Sequence, residues 1–110
     1  MPRRHPGRDQ EGAGFAGLLV VDLLLPGARS LKDKRNPLRS VLQRLHDAGY
    51  SASEVAYHDT WQRSQLAISM VARGGSDIEH LLDEAVRICE RPDIDVSVMQ
   101  RAVMGLDEIE

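Results

Sequence analysis

Residues 26–35, Pro26-Gly27-Ala28-Arg29-Ser30-Leu31-Lys32-Asp33-Lys34-Arg35, place four cations directly after an apolar run, where a helix should begin. Guanidinium and ammonium groups gathered this way suit phosphate oxygens, whose condensed counterions they release. Arg39 extends the group by one helical turn. Basic side chains in a first turn oppose the helix dipole, so helix stability is not what favours them. A second polar stretch, His58-Asp59-Thr60-Trp61-Gln62-Arg63, holds an acid–base type, the sole tryptophan and another arginine. Trp61 beside Arg63 has the residue types that stack and hold a single-stranded base, and the competing reading is packing at a hairpin edge. His58 and Asp59 would suit acid–base catalysis only if a turn reoriented them, because neighbours on a strand face opposite ways. Asp59 also suits a turn cap. No serine or cysteine nucleophile can be set beside them. His46 and His80 fall on separate helices without ligand spacing to His58, so no metal site is expected and no cofactor is implied. A small hydrolase that binds phosphate in the first loop would need Arg29 as a cradle and a positioned amide. Asn36 is the only asparagine, so Gln62 or Gln65 would have to serve, and the expectation is a protein without enzymatic activity.

The elements that must carry these residues follow from periodicity. Residues 1–14 mix proline, glycine and charge without an apolar pattern and read as a disordered tail; a single domain spans 15–104, and 105–110 form an acidic tail. Phe15 to Leu25 suits a strand buried on both faces. Ser30 with Asp33 forms a capping box that opens a helix, Leu38, Val41, Leu42 and Leu45 line one side of it, and Gly49 closes it. Pro37 either kinks this helix or starts its regular part, with Asn36 as the cap. Ser51–His58, carrying Val55 and Tyr57 on one side, and Trp61–Ala72 then form a hairpin. Ser76 and Glu79 make a second capping box before the stripe Ile78, Leu81, Leu82, Ala85, Val86 and Cys89. The lone cysteine belongs to this packed stripe and has no disulfide partner. Ile94–Val103 alternates as a final strand.

The order βαββαβ predicts an α+β, ferredoxin-like two-layer sandwich: a four-stranded antiparallel sheet with two helices on one face. Leu19, Val21, Leu23 and Leu25 alternate with Leu18, Val20, Asp22 and Leu24, so neither side of the first strand is polar. The open sheet face is therefore covered either by a partner, with a homodimer as the expectation, or locally. A helical wheel places Lys34 on the apolar side. Its stem packs on the core with the ammonium reaching water or a carboxylate such as Asp59, or it contacts a phosphate beside the Pro26-Gly27 turn. Of 110 residues with formal net charge −3, the segment 29–44 holds six basic and one acidic side chain, and 77–110 three basic and ten acidic. One helix is basic and the other acidic, and the overall charge argues against indiscriminate polyanion binding. No apolar run is long enough to span a bilayer, and the charged start lacks a cleavage pattern, so a cytoplasmic location without membrane contact is expected.

Two segments, LLVVDLLLPGARSLKDKR and EVAYHDTWQRSQLAISMV, are similar to the YlxP-like family of small bacterial proteins, whose function is unknown. The resemblance runs from Leu18 to about Val98. It is carried by the 26–35 motif and by His58-Asp59-x-Trp61-Gln62-Arg63, and it departs from the family pattern at Pro37 and in the tail before Phe15. It implies a ferredoxin-like fold and brings no established activity. Members are often encoded near translation and ribosome-maturation factors, which implies, by association, a link to ribosomal RNA or ribosomal particles. Candidate contacts are Arg29, Lys32, Lys34, Arg35, Arg39, Trp61 and Arg63. Pro26, Gly27, Ser30, His58, Asp59 and Gln62 complete the motifs without an assigned role. Three classes stay open: an RNA-associated accessory protein, a homodimeric interaction module using the open sheet, and, least supported, a phosphate-binding hydrolase.

Overall fold

Alternation along β1 (Phe15–Leu24) sends Leu19, Val21 and Leu23 to one face, where each is completely buried. They are buried by α1 (Leu31–Asp47) and α2 (Gly75–Cys89), whose inward stripes are Leu38, Val41 and Leu45 and Ile78, Leu82, Ala85 and Cys89. Each large aliphatic side chain in this layer contributes roughly 1.5–3 kcal/mol by leaving water. The computed structural model describes residues 14–108. The tail assigned to 1–14 lies, but for Gly14, outside the described residues, as do residues 109 and 110.

The remaining elements are β2 (Ser51–Ala56), β3 (Arg63–Ala72) and β4 (Asp95–Gly105), followed by a 3-10 turn over Leu106–Glu108. All strand pairs are antiparallel, in the order β2-β3-β1-β4. This is the ferredoxin-like βαββαβ sandwich that the sequence predicts, with β1 and β3 central and β2 and β4 at the edges. Gly17 on β1 lets α2 sit close, since a Cβ there would stand 2.8 Å from Ile78 Cγ1.

Capping explains both ends of α1. Ser30 Oγ accepts from Asp33 N at 3.0 Å, and the Asp33 carboxylate reaches one residue further back than a capping box requires, accepting from Arg29 N at 3.0 Å. Gly49, at φ +95°, closes the helix: its N–H bonds to His46 O while Tyr50 N bonds to Leu45 O, the paired pattern of a left-handed C-cap. Pro37 lies inside the continuous helix, so Asn36 is not its cap. The missing N–H removes only the bond to the carbonyl of Asp33, a residue on the exposed side.

The second expected capping box is corrected. α2 starts from Gly74 in extended conformation, with no side-chain cap, so Ser76 is already inside the first turn. Glu79 instead accepts from Arg101 Nη2 of β4 at 2.7 Å. The hairpin strands are shorter than expected on the loop side: β2 ends at Ala56 and β3 starts at Arg63, which leaves His58 and Trp61 in the connecting turn. Burial alternates along β2, with Ala52, Glu54 and Ala56 half-buried and Val55 exposed, and a register shift against β3 falls between Glu54 and Ala56.

The open sheet face is divided along its length. Toward the start of β1, cross-strand rows Val71–Ala16–Met104 and Ser69–Leu18–Ala102 are apolar or small. Toward the end of β1 the rows become Gln65–Asp22–Ser97 and Arg63–Leu24–Asp95. The polar half adjoins the loop that carries Pro26 and Gly27.

Candidate functional site

The two motif segments meet at one end of the sheet because one backbone hydrogen bond and two side chains directed at backbone carbonyls, Gln62 and Lys34, hold the loop, the turn and α1 together. Leu25 N donates to Gln62 O at 2.9 Å, and Gln62 Nε2 donates to Pro26 O at 3.2 Å and Ala28 O at 3.0 Å. From α1, Lys34 Nζ donates to Tyr57 O at 2.7 Å and Thr60 O at 2.9 Å, with a longer contact to His58 O at 3.4 Å. The same ammonium lies 2.9 Å from Glu54 Oε2, which also accepts from Ser64 Oγ at 2.7 Å. Lys34 is 3% exposed, and its three N–H groups are fully occupied by these partners. It therefore holds the 57–60 turn in place and has no donor left for an outside phosphate. The carboxylate it reaches is Glu54, not Asp59, because strand alternation puts Glu54 on the half-buried face of β2 whereas Asp59 is exposed in the turn.

Around this buried lysine the other cations point outward. Arg29, Lys32, Arg35 and Arg39 are exposed and form no ion pair among the described residues. By contrast Arg63, Arg87, Arg91 and Arg101 each hold a carboxylate. Lys32, Arg35 and Arg39 recur at helical spacing and form one stripe. Arg35 shares a cleft of about 280 Å³ with Leu31, Leu38, His58 and Asp59, and with Arg39 lines an adjoining groove of about 330 Å³ that reaches His46. Trp61 stands at the turn with 51% of its surface exposed.

Arg63 is committed to the polar half of the open face. Its Nε and Nη2 donate to Asp22 Oδ2, Gln65 Nε2 donates to Asp22 Oδ1 at 2.9 Å, and its guanidinium lies 4.0 Å from the centre of the Tyr57 ring. The Gln65 hydrogen bond first, and then Arg63, hold the Asp22 carboxyl below its ordinary range against the opposing effect of burial. Asp22 in turn raises Arg63, mainly through their hydrogen bond. Tyr57 takes φ +65°, a strained value for a bulky residue. Its carbonyl is held by Lys34 and its ring by Arg63, which maintain that conformation.

His58 Nε2 donates to Glu54 O at 3.2 Å and makes no hydrogen bond to Asp59; the turn is closed by Thr60 N to Tyr57 O instead of by the Asp59 side chain. His46 Nε2 donates to Ala52 O on β2. Among the described residues no group of three His, Cys, Asp or Glu could hold a metal ion. No helix is long and apolar enough to cross a membrane. Cys89 is completely buried, and burial pushes its thiol up to about 11, which leaves it protonated and a poor nucleophile.

Three residues of this end escape sequence reasoning, Asp22, Glu54 and Ser64, while Gln65, considered there as a positioned amide, instead donates to Asp22. Asp22 carried one signal, a lone carboxylate within an apolar strand, which implies a buried partner. Glu54 and Ser64 carried none, since their roles depend on contacts between β2, β3 and α1.

Residues 16–102 match the model of a family described as "Protein of unknown function (DUF503)". The chain is also 30% identical over 84 residues, covering 74% of its own length and 91% of the relative's, to a protein of Bacillus subtilis (strain 168) described as "Uncharacterized protein YlxP". The family match takes in the two motif segments and most of the sheet that brings them together, and the chain belongs to this YlxP-like family of proteins of unknown function.

Proposed function

We propose that the chain is a non-enzymatic accessory protein that contacts RNA, in a ribosomal context, along the outer edge of α1. The observation that carries the reading is the contrast among its cations. Among the described residues Arg29, Lys32, Arg35 and Arg39 are exposed without ion pairs and lie together, Arg44 and Arg73 are exposed without ion pairs but stand apart from them, and Arg63, Arg87, Arg91 and Arg101 are paired within the fold. Lys32 in the first turn of α1 opposes the helix dipole, and the whole group gains most when it meets phosphates. The net charge of −3 restricts contact to this one edge, and the role places the protein in the cytoplasm. The assignment contains no reaction and no cofactor. RNA binding to ribosomal particles and to an unrelated RNA, measured over a salt series, tests it. Lys32→Glu/Arg35→Glu/Arg39→Glu should abolish binding while Arg87→Glu, on the opposite helix, leaves it intact; equal binding by all three proteins removes the stripe from the account.

A second reading, a homodimer through the sheet, is favoured by the apolar half of the open face. Leu18 is 42%, Val71 65% and Met104 48% exposed there. The two surfaces are separate, so one protein can use both. A light-scattering mass of two chains, reduced to one by Leu18→Lys, supports this reading, and a monomeric wild type removes it.

A further inference from the structure

We propose that the RNA taken by this edge is single-stranded, with Trp61 as the platform on which a base stacks; the inference rests on the RNA reading above. The sole tryptophan has 51% of its surface exposed, and no ring or hydrogen-bond partner engages it among the described residues. An indole is costly to leave in water, so a fold that places one at a surface needs a reason. Looseness of the turn is not the reason. Thr60 N closes it onto Tyr57 O, Lys34 Nζ grips its carbonyls from below, and Gln62, the next residue, is tied to the carbonyls of Pro26 and Ala28. The ring is carried on a backbone fixed from both sides, so a base meeting it incurs little ordering cost in the protein.

The surroundings match a strand laid across the platform. Arg29 follows Ala28, whose carbonyl Gln62 holds, and Arg35 shares its cleft with His58 and Asp59 of the same turn. Cations for phosphates therefore lie on the two segments, 26–35 and α1, that hold the turn carrying the indole, while the cleft that Trp61 itself lines also holds Asp59, Thr60 and Gln62. Gly27 has open space where a Cβ would stand and a φ outside the left-handed region, so packing does not demand glycine, and the loop beside the platform presents bare backbone. A duplex hides its base faces in the stack and offers an outside aromatic only phosphates, sugars and groove edges, whereas an unpaired base offers a π-face of any sequence.

Because Trp61 is the only tryptophan, its emission reports the proposed contact directly. The full chain would be titrated with a twelve-nucleotide RNA, unpaired or annealed to its complement, at low salt. The expected result is that the single strand quenches the emission and binds more tightly than the duplex. Trp61→Ala should weaken the single strand by at least about fivefold without changing the duplex, and Trp61→Phe should retain most of the affinity. Equal affinity for the two forms without quenching, or an unchanged single-strand affinity in Trp61→Ala, overturns the stacking assignment and leaves RNA contact by the basic stripe standing. Failure of both forms to bind overturns the RNA reading and the stacking assignment together.

Discussion

Replacing Lys34 by methionine removes the ammonium that bonds α1 to the 57–60 turn, while keeping the aliphatic stem that packs on the core. In the wild type the ammonium is 3% exposed and is shared by Glu54 Oε2 at 2.9 Å, Tyr57 O at 2.7 Å and Thr60 O at 2.9 Å. After replacement, the Glu54 carboxylate, whose side chain is 16% exposed, keeps only Ser64 as a donor among the described residues and is a largely enclosed charge without a counter-charge. Breaking such a pair from one side costs roughly 3–5 kcal/mol. The freed carbonyls lie on an exposed turn and can regain water, so their loss adds little to that figure. The expected destabilisation is about 3–4 kcal/mol, a large share of the roughly 5–15 kcal/mol that holds a domain folded. It should appear as a fall in Tm on the order of 10–20 °C by far-UV circular dichroism, together with a lower urea midpoint. In Lys34→Met/Glu54→Leu the orphaned charge is gone, and the double variant should recover at least about 1 kcal/mol. A single-variant loss under about 1 kcal/mol, or a double variant less stable than the single one, would falsify the assignment of Lys34 as a buried anchor.

Three further outcomes follow from other contacts. Asp22 has its folded-state pKa lowered, chiefly by Gln65 and then by Arg63, so its stabilisation is present above the unfolded carboxylate range and is lost as pH falls through the folded value. The stability gap between wild type and Asp22→Asn, measured by urea unfolding, should therefore narrow below about pH 4, and a gap constant down to pH 3 contradicts the network. Gly17→Ala puts a Cβ 2.8 Å from Ile78 Cγ1 and 3.1 Å from Leu82 Cδ2, and should cost about 1–3 kcal/mol as α2 is pushed from the sheet; unchanged stability would show that α2 sits less tightly. Cys89, buried with its thiol pushed up to about 11, should resist alkylation at pH 8 until the chain unfolds, and stoichiometric labelling of the native protein within minutes argues against its burial.

The fold was legible because strong local signals agreed with one another. The apolar alternation of β1, the Ser30 cap, the Gly49 closure and the stripe of α2 each point to the same sandwich, and the structure contains all four. Element ends were less legible. Gly74 starts α2 by backbone geometry alone, which overrides the Ser76–Glu79 pattern, and in β2 the alternation holds but puts the apolar Val55 on the exposed set and Glu54 on the half-buried one. At the candidate site, residue types marked both clusters, but how they divide their work depends on contacts between distant segments. Lys34 and Arg35 are sequence neighbours with the same charge; one is enclosed by the 57–60 turn and the other faces solvent. Arg63 likewise looked like a partner for Trp61, and cross-strand register assigned it to Asp22.

The central claim is that the unpaired cations of α1 and the turn beside them form the RNA-contacting edge. Amide chemical shifts of the isotope-labelled full chain, followed while a short unpaired RNA is added, test it most directly. The account predicts salt-sensitive shifts confined to residues 29–39 and 58–62, with the signals of Leu18, Val71 and Met104 on the apolar half of the sheet unmoved. Shifts centred on those three residues, or no shifts at low salt, would contradict it.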